Sequence, residues 1–133
     1  MAAPSNRYYE QQNIKQIAPS DIGLELSLRF DKKAVVMTLT KLTGVKSIEY
    51  ELSYDAEETV EGETSTVPKG VVGSPIEVAG KSEIKREILL GTCSANVCRY
   101  DKVKSDIKIV VRVNYENGEV GAAESTVPFG NNN

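Results

Sequence analysis

The chain has 133 residues, and its 16 Lys and Arg against 19 Asp and Glu give a net charge of −3 at pH 7. It contains no His and no Trp, which excludes catalysis by Ser-His-Asp or Cys-His groups and excludes metal sites that need His ligands. The absence of a basic excess argues against nucleic-acid binding, because contacts with phosphate dominate that affinity.

The first residues of the chain predict little regular structure. Residues 1–12 are polar, and residues 13–19 suit an extended segment only at a sheet edge, because Pro19 lacks a backbone N–H. We interpret residues 1–19 as an N-terminal arm that is flexible or adds a strand to a sheet.

From Leu24 onward, apolar and polar residues alternate with the period of two that is typical of half-buried strands. Phe30 completes the apolar face of the first strand. The polar residues 31–33 predict a turn after it, and Asn117-Gly118 predicts a tight turn in the last hairpin. The alternation predicts strands at 24–30, 35–40, 48–54, 84–90, 107–115 and 120–127, with shorter ones at 75–78 and 97–100.

The middle of the chain is less clearly patterned. Residues 55–63 contain five acidic residues and no basic one, which predicts a solvated loop: Asp55, Glu57, Glu58, Glu61 and Glu63. A calcium ion takes six to eight oxygen ligands, but this spacing matches no calcium-binding loop, and we predict no metal site. Residues 64–67 are β-prone, and we expect that strand to end at Pro68.

Seven or eight short strands separated by turns predict an all-β fold, an antiparallel β-sandwich of the immunoglobulin or fibronectin III type. The last hairpin then corresponds to strands F and G. A β-barrel is the structural alternative, but the strands differ in length and residues 55–80 lack a regular pattern. We assign residues 20–128 to the sandwich and residues 129–133 to a C-terminal tail.

Cys93 and Cys98 are the two cysteines of the chain. On one straight strand, five steps of about 3.3 Å would separate them and place them on opposite faces, so a disulfide requires a turn between them. Ser94-Ala95-Asn96 suits such a turn, because Asn tolerates left-handed backbone angles. We predict the disulfide, and with it an oxidising compartment; two free buried thiols are the alternative. Zinc needs four ligands, which two thiolates without His do not supply, and we predict no cofactor.

The stretch from Glu87 to Tyr100 resembles a motif of small fibronectin III-like extracytoplasmic proteins of candidate-phyla (Patescibacteria-type) bacteria. Its specific parts are Gly-Thr-Cys-Ser at 91–94 and Val-Cys-Arg-Tyr at 97–100, and residues 48–54 resemble the Tyr-x-Leu-x-Tyr strand of the same proteins. A His often follows the final Tyr in the family, whereas Asp101 stands here. The resemblance spans about residues 35–115 and implies one β-sandwich behind an N-terminal membrane anchor, a cell-surface location and no known activity.

The sequence also bears on location. No apolar run approaches the roughly 20 residues needed to cross a bilayer, and residues 1–6 lack the apolar core of a signal peptide. We therefore expect no membrane insertion by this chain, and an extracellular or cell-surface location after removal of a leader or an anchor.

Basic residues concentrate in the second half of the chain: Lys81, Lys85, Arg86, Arg99, Lys102, Lys104 and Lys108. Set against the acidic residues 55–63, they favour head-to-tail contact between copies, with residues 1–19 adding a strand to a neighbour. We expect a non-enzymatic, exported cell-surface structural or adhesion module, or a subunit of an extracellular assembly or filament, with a protein partner or self-association. The alternative is a monomeric ligand-binding module that uses the loops at one end of the sandwich.

Overall fold

The computed structural model describes residues 14–129 of the chain. Within this range the regular structure consists of β-strands and one 3₁₀ turn at Pro19–Ile22, with no α-helix. The strands are β1 (Ile14–Gln16), β2 (Leu24–Leu28), β3 (Ala34–Leu39), β4 (Val45–Val60), β5 (Glu63–Val72), β6 (Ile76–Glu77), β7 (Ile84–Leu89), β8 (Gly91–Ser94), β9 (Val97–Tyr100), β10 (Lys102–Val103), β11 (Ile107–Tyr115) and β12 (Val120–Val127). The predicted all-β class is confirmed, and short additional strands raise the number above the seven or eight expected.

The long strands form two sheets of a sandwich. The small sheet has the order β2-β3-β7, and the large sheet has the order β1-β12-β11-β4, with β5 and β6 on the far edge of β4. These orders match strands A-B-E and G-F-C-C′ of immunoglobulin-like sandwiches, so β11 and β12 are the predicted F–G hairpin. The sheets do not close into a barrel. The pairings are antiparallel except that β1 runs parallel to β12.

The core lies between the two sheets and follows from the alternation in the sequence. Every second residue of β11, from Ile107 to Val113, is fully buried, while Lys108 and Arg112 between them are exposed. From the other sheet, Val35, Met37 and Leu39 are likewise fully buried. Because side chains alternate across a strand, the apolar period of two places one face of each sheet in the core.

Residues 55–63 form no loop, contrary to the prediction. β4 continues to Val60, β5 starts at Glu63, and the two strands pair from Glu51/Val72 out to Val60/Glu63. Glu61 and Gly62 make the turn, both with positive φ (52° and 81°), as a type I′ hairpin turn requires. Cross-strand backbone hydrogen bonds satisfy this segment while its acidic side chains remain in solvent, which is why its composition resembled that of a loop.

The expected end of the strand at Pro68 is also wrong, because β5 continues through Pro68 to Val72. The reason lies in the partner residue, Asp55. Its N–H donates to Ser105 Oγ (2.8 Å) and its carbonyl accepts from the Lys104 N–H (2.7 Å), so its backbone polar groups point away from β5. Asp55 and Pro68 therefore form a non-hydrogen-bonded pair, and the missing N–H of Pro68 faces the open edge of the sheet, where it costs no ladder bond.

At the N-terminus, Ile14–Gln16 extends the large sheet by pairing with β12 of the same chain. This strand lies in the segment assigned to the N-terminal arm. The rest of that assignment, residues 1–13, and residues 130–133 of the predicted tail lie outside the described residues.

Candidate functional site

The two cysteines lie in a separate hairpin between β7 and β10. Strands β8 and β9 pair with each other, and Cys93 and Cys98 stand directly opposite, with 4.0 Å between their Cα atoms, and are joined by a disulfide. Ala95 and Asn96 form the turn with φ of 50° and 71°. The predicted disulfide and turn are both confirmed, and the alternative of two free thiols is wrong. We call Gly91–Tyr100 the stapled hairpin.

The base of the stapled hairpin is fixed to the sandwich. Leu90 is fully buried, its N–H donates to the Lys33 carbonyl (3.0 Å), and its carbonyl accepts from the Asp101 N–H (2.8 Å). The hydroxyl of buried Tyr54 donates to Asp101 Oδ2 (2.6 Å). Burial, reinforced by the Asp101 carboxylate, raises the pKa of the Tyr54 phenol well above its usual range, so Tyr54 remains a donor at any physiological pH.

A second exposed element is the turn between β2 and β3, residues 29–33, which we call the Phe30 turn. The Arg29 guanidinium binds both carboxylate oxygens of Asp31 (2.9 Å each) and one of Glu87 (3.0 Å). Asp31 Oδ1 also accepts from the Lys33 N–H (3.0 Å). The hydrogen bonds from Arg29, and then the one from Lys33, lower the pKa of Asp31. This network holds Phe30 in solvent.

Phe30 is 95% exposed, which corrects the prediction that it completes the buried face of the first strand. β2 ends at Leu28, and Phe30 belongs to the turn. The alternation in the sequence runs on into the turn without a break, so it gave no sign that the strand had ended. The local sequence indicates the end of the strand only through the polar residues 31–33. A turn centred on them has to begin before residue 31, and this places Phe30 in the turn.

The third element is the projecting part of the β4–β5 pair, residues 55–68, which we call the acidic hairpin. Glu57 stands opposite Lys102 of β10, and Glu58 pairs with Lys69 (3.8 Å). Because side chains alternate along β4, Asp55 and Glu57 lie on one face and Glu58 on the other. Among residues 14–129, no three carboxylates or thiols come close enough to hold a metal ion. The strand geometry therefore places Glu58 on the opposite face from Asp55 and Glu57, two of the other residues considered as calcium ligands.

These three elements lie at the same end of the sandwich, which we call the hairpin end. Lys33 of the Phe30 turn has its Nζ 4.8 Å from the ring centre of Tyr100 in the stapled hairpin. The chain then runs from the stapled hairpin into β10, which pairs with Ala56 and Glu57 at the base of the acidic hairpin. Four of the five large, exposed apolar side chains of the described residues are located here: Phe30, Val60, Val97 and Tyr100.

The basic residues noted in the sequence do not form one patch. Lys102 and Lys104 flank the acidic hairpin, and Arg99 lies in the stapled hairpin. Lys81 is at the opposite end of the sandwich, beside Gly44 and Glu116. Lys85 and Arg86 lie on β7, and Lys108 on β11 pairs with Glu124 (3.7 Å). Acidic and basic groups thus meet at the hairpin end.

Comparison with known proteins gives no family. No protein-family model matches the chain, and no curated protein matches it. The resemblance to extracytoplasmic fibronectin III-like proteins therefore stays a prediction. In the part of the chain that the structure describes, no helix has the length and apolar character needed to cross a membrane.

Proposed function

We propose that this chain is a non-enzymatic, exported module of the cell surface with a structural or adhesive role, and that it contacts another protein through the hairpin end. The observation that carries this proposal is the concentration of exposed apolar side chains on anchored turns at one end of the sandwich. Soluble domains scatter such side chains singly, and a group of them marks an interaction surface.

The anchoring of these side chains supports binding. The hydrogen bonds of Arg29 and Asp31 fix the turn that presents Phe30, and the disulfide fixes the hairpin that presents Val97. A partner that buries preorganised side chains does not have to order a flexible loop, which is a large part of the free-energy cost of association. Buried aromatic side chains are also the residues that most often dominate the affinity of protein interfaces.

A protein suits this surface better than an anionic partner does. The acidic hairpin, with Glu61 and Glu63 near its turn, belongs to the same end as Phe30 and Val97. Its carboxylates would repel phosphate, whether that phosphate belongs to a nucleic acid or to a lipid headgroup. Mixed charges around an apolar centre are typical of protein interfaces.

The proposed location and the lack of activity rest on other features. The disulfide lies in an exposed hairpin and is consistent with an oxidising compartment, which agrees with the family resemblance. The composition, with no His, removes the most common general base of enzymes.

Adhesion of coated beads to cells tests the proposed function. Beads carrying the chain are mixed with intact cells of the species that encodes it, and bound beads are counted. We expect Phe30→Ser with Val97→Ser to reduce binding by at least about tenfold. Val72→Ser is the matched control, because Val72 is also exposed but lies on the large sheet away from the hairpin end. Binding no better than that of uncoated beads, or equal losses for both variants, would contradict the proposal.

A further inference from the structure

The charges of the hairpin end fall into two separate parts. The acidic hairpin carries Glu61 in its turn and Glu63 directly after it, and neither makes an ion pair with another described residue. Further from the turn, Glu57 faces Lys102 and Glu58 pairs with Lys69. Of the five acidic side chains of this hairpin, only Glu58 makes an ion pair within residues 14–129, so its turn end carries negative charge that no described residue neutralises.

The positive part lies on the stapled hairpin and the Phe30 turn. In the stapled hairpin, Val97 and Arg99 share one face, because the disulfide and Tyr100 occupy the other face of the two strands. Arg99 makes no ion pair within residues 14–129. Lys32, beside Phe30, is also free of ion pairs there and has its Nζ 5.7 Å from the ring centre of Phe129.

Each part also carries an exposed apolar side chain. Val60 is 61% exposed and directly precedes the turn of the acidic hairpin, opposite Glu63. Val97 is 63% exposed and lies on the same face as Arg99. The hairpin end thus presents an acidic segment with one aliphatic side chain, and a basic segment with an aliphatic and an aromatic side chain. The two segments are complementary to each other in charge and in apolar character.

We propose that the partner of the hairpin end is a second copy of this chain, bound end to end about a two-fold axis. The acidic turn of each copy lies against the stapled hairpin and the Phe30 turn of the other, with Glu61 and Glu63 facing Lys32 and Arg99. Val60 of each copy packs against Val97 of the other. This inference rests on the proposed function, because it names the partner of the same surface.

The placement of both segments at one end is compatible with two-fold symmetry. The acidic segment of one copy can meet the basic segment of another while the reverse contact forms about the same axis, which closes the interface after two copies. The head-to-tail filament considered from the sequence needs the acidic and basic segments at opposite ends of the molecule. Lys102 and Lys104 lie next to the acidic hairpin instead. The arrangement therefore favours a dimer over a filament.

A charge-exchange experiment tests the inference. Variant A carries Glu61→Lys and Glu63→Lys, and variant B carries Lys32→Glu and Arg99→Glu. In a pair of A, or a pair of B, like charges meet across the axis, whereas an A–B pair restores both contacts. Sedimentation velocity on the whole chain should show the wild type dimerising, each variant alone weakened at least about tenfold, and an equimolar mixture returning to dimers. Intramolecular effects of the substitutions do not explain recovery on mixing.

The control variant Glu49→Lys with Glu51→Lys makes the same change in charge on the outer face of the large sheet, away from the hairpin end. It should dimerise like the wild type. The inference is overturned by a wild type that stays monomeric up to about 0.5 mM, by equal weakening in the control, or by a mixture of A and B that stays monomeric. Beads that adhere to cells while the chain is monomeric would overturn the second copy as partner and leave the proposed function standing.

Discussion

Arg29 determines how Phe30 is presented. Its guanidinium forms a bidentate pair with Asp31 and also reaches Glu87 on β7, so one side chain joins the turn to the neighbouring strand. Exposed ion pairs add little to stability. A bidentate guanidinium–carboxylate pair nevertheless fixes the relative orientation of the two side chains, because two parallel hydrogen bonds align the planar groups. The network therefore matters for the position of Phe30 more than for the stability of the fold.

The same residues predict a pH dependence of the Phe30 turn. The folded-state pKa of Asp31 is lowered from its ordinary value of 3.8, first by the Arg29 hydrogen bonds and then by the Lys33 N–H. A lowered pKa means that the carboxylate stabilises the turn above its unfolded pKa, and that this contribution is lost as the pH falls through the folded pKa. We expect protection of the Lys33 amide against hydrogen exchange to fall below about pH 4 in the wild type.

Asp31→Asn removes the titrating group, so protection of Lys33 should be low and independent of pH between about 2 and 6. Glu25→Gln, an exposed carboxylate on β2, serves as the control and should retain the wild-type profile. Parallel profiles for wild type and Asp31→Asn, measured by NMR, would show that Asp31 does not hold the turn.

Among the elements, the stapled hairpin depends most on its covalent bond. Two isolated strands are marginally stable in water, and Ala95 adds a cost of about 1–2 kcal/mol because it adopts a left-handed conformation (φ 50°). The disulfide closes a ring of six residues, for which loss of chain entropy gives about 2 kcal/mol. These magnitudes are similar, so the bond decides whether the hairpin is ordered.

Cys93→Ser with Cys98→Ser should therefore melt the hairpin while the sandwich stays folded. We expect the amides of β8 and β9 to lose protection, the amides of β11 to keep it, and the free energy of unfolding in urea to fall by no more than about 2 kcal/mol. Adding Ala95→Gly removes the left-handed penalty and should restore part of the protection. Full protection of β8 and β9 without the disulfide would refute this account.

The elements also show which features a sequence can predict. β11, β12 and the cysteine turn depend on neighbours along the chain. Alternation predicts the strands, and two cysteines with four residues between them can be bridged only where the chain reverses direction. The acidic hairpin forms because β4 pairs with β5. Its acidic composition does not indicate a strand, because exposed strand positions tolerate any solvated side chain. Glu61-Gly62 was the available turn signal. The sequence near Pro68 does not show that β5 continues through it, because the position of Pro68 at an open edge is a property of the whole sheet. The meeting of three elements at one end is likewise a property of the topology.

At the scale of the whole molecule, the buried core and the proposed interaction surface occupy different regions. The buried residues of β3, β4 and β11 lie between the sheets, and the last buried residue of β4 is Ala56, at the base of the acidic hairpin. Beyond Ala56, every residue up to Thr66 is exposed or only partly buried. Changes in the projecting part should therefore alter contacts with partners and leave the core intact.

Shortening the acidic hairpin tests that separation. Val60 and Glu63, which flank the turn, are a hydrogen-bonded pair of the ladder. Glu58 and Ser65 are the next hydrogen-bonded pair, because such pairs alternate along antiparallel strands and the Gly73 N–H donates to the Tyr50 carbonyl. Replacing residues 59–64 by Asn-Gly between Glu58 and Ser65 therefore keeps the register with a favoured two-residue turn. We expect the free energy of unfolding in urea to change by less than about 0.5 kcal/mol, because no buried side chain is lost.

Sedimentation velocity should show that the shortened chain is a monomer, since Val60, Glu61 and Glu63 are removed together. A large loss of stability would place the acidic hairpin in the folding core, and an unchanged dimer would exclude it from the interface.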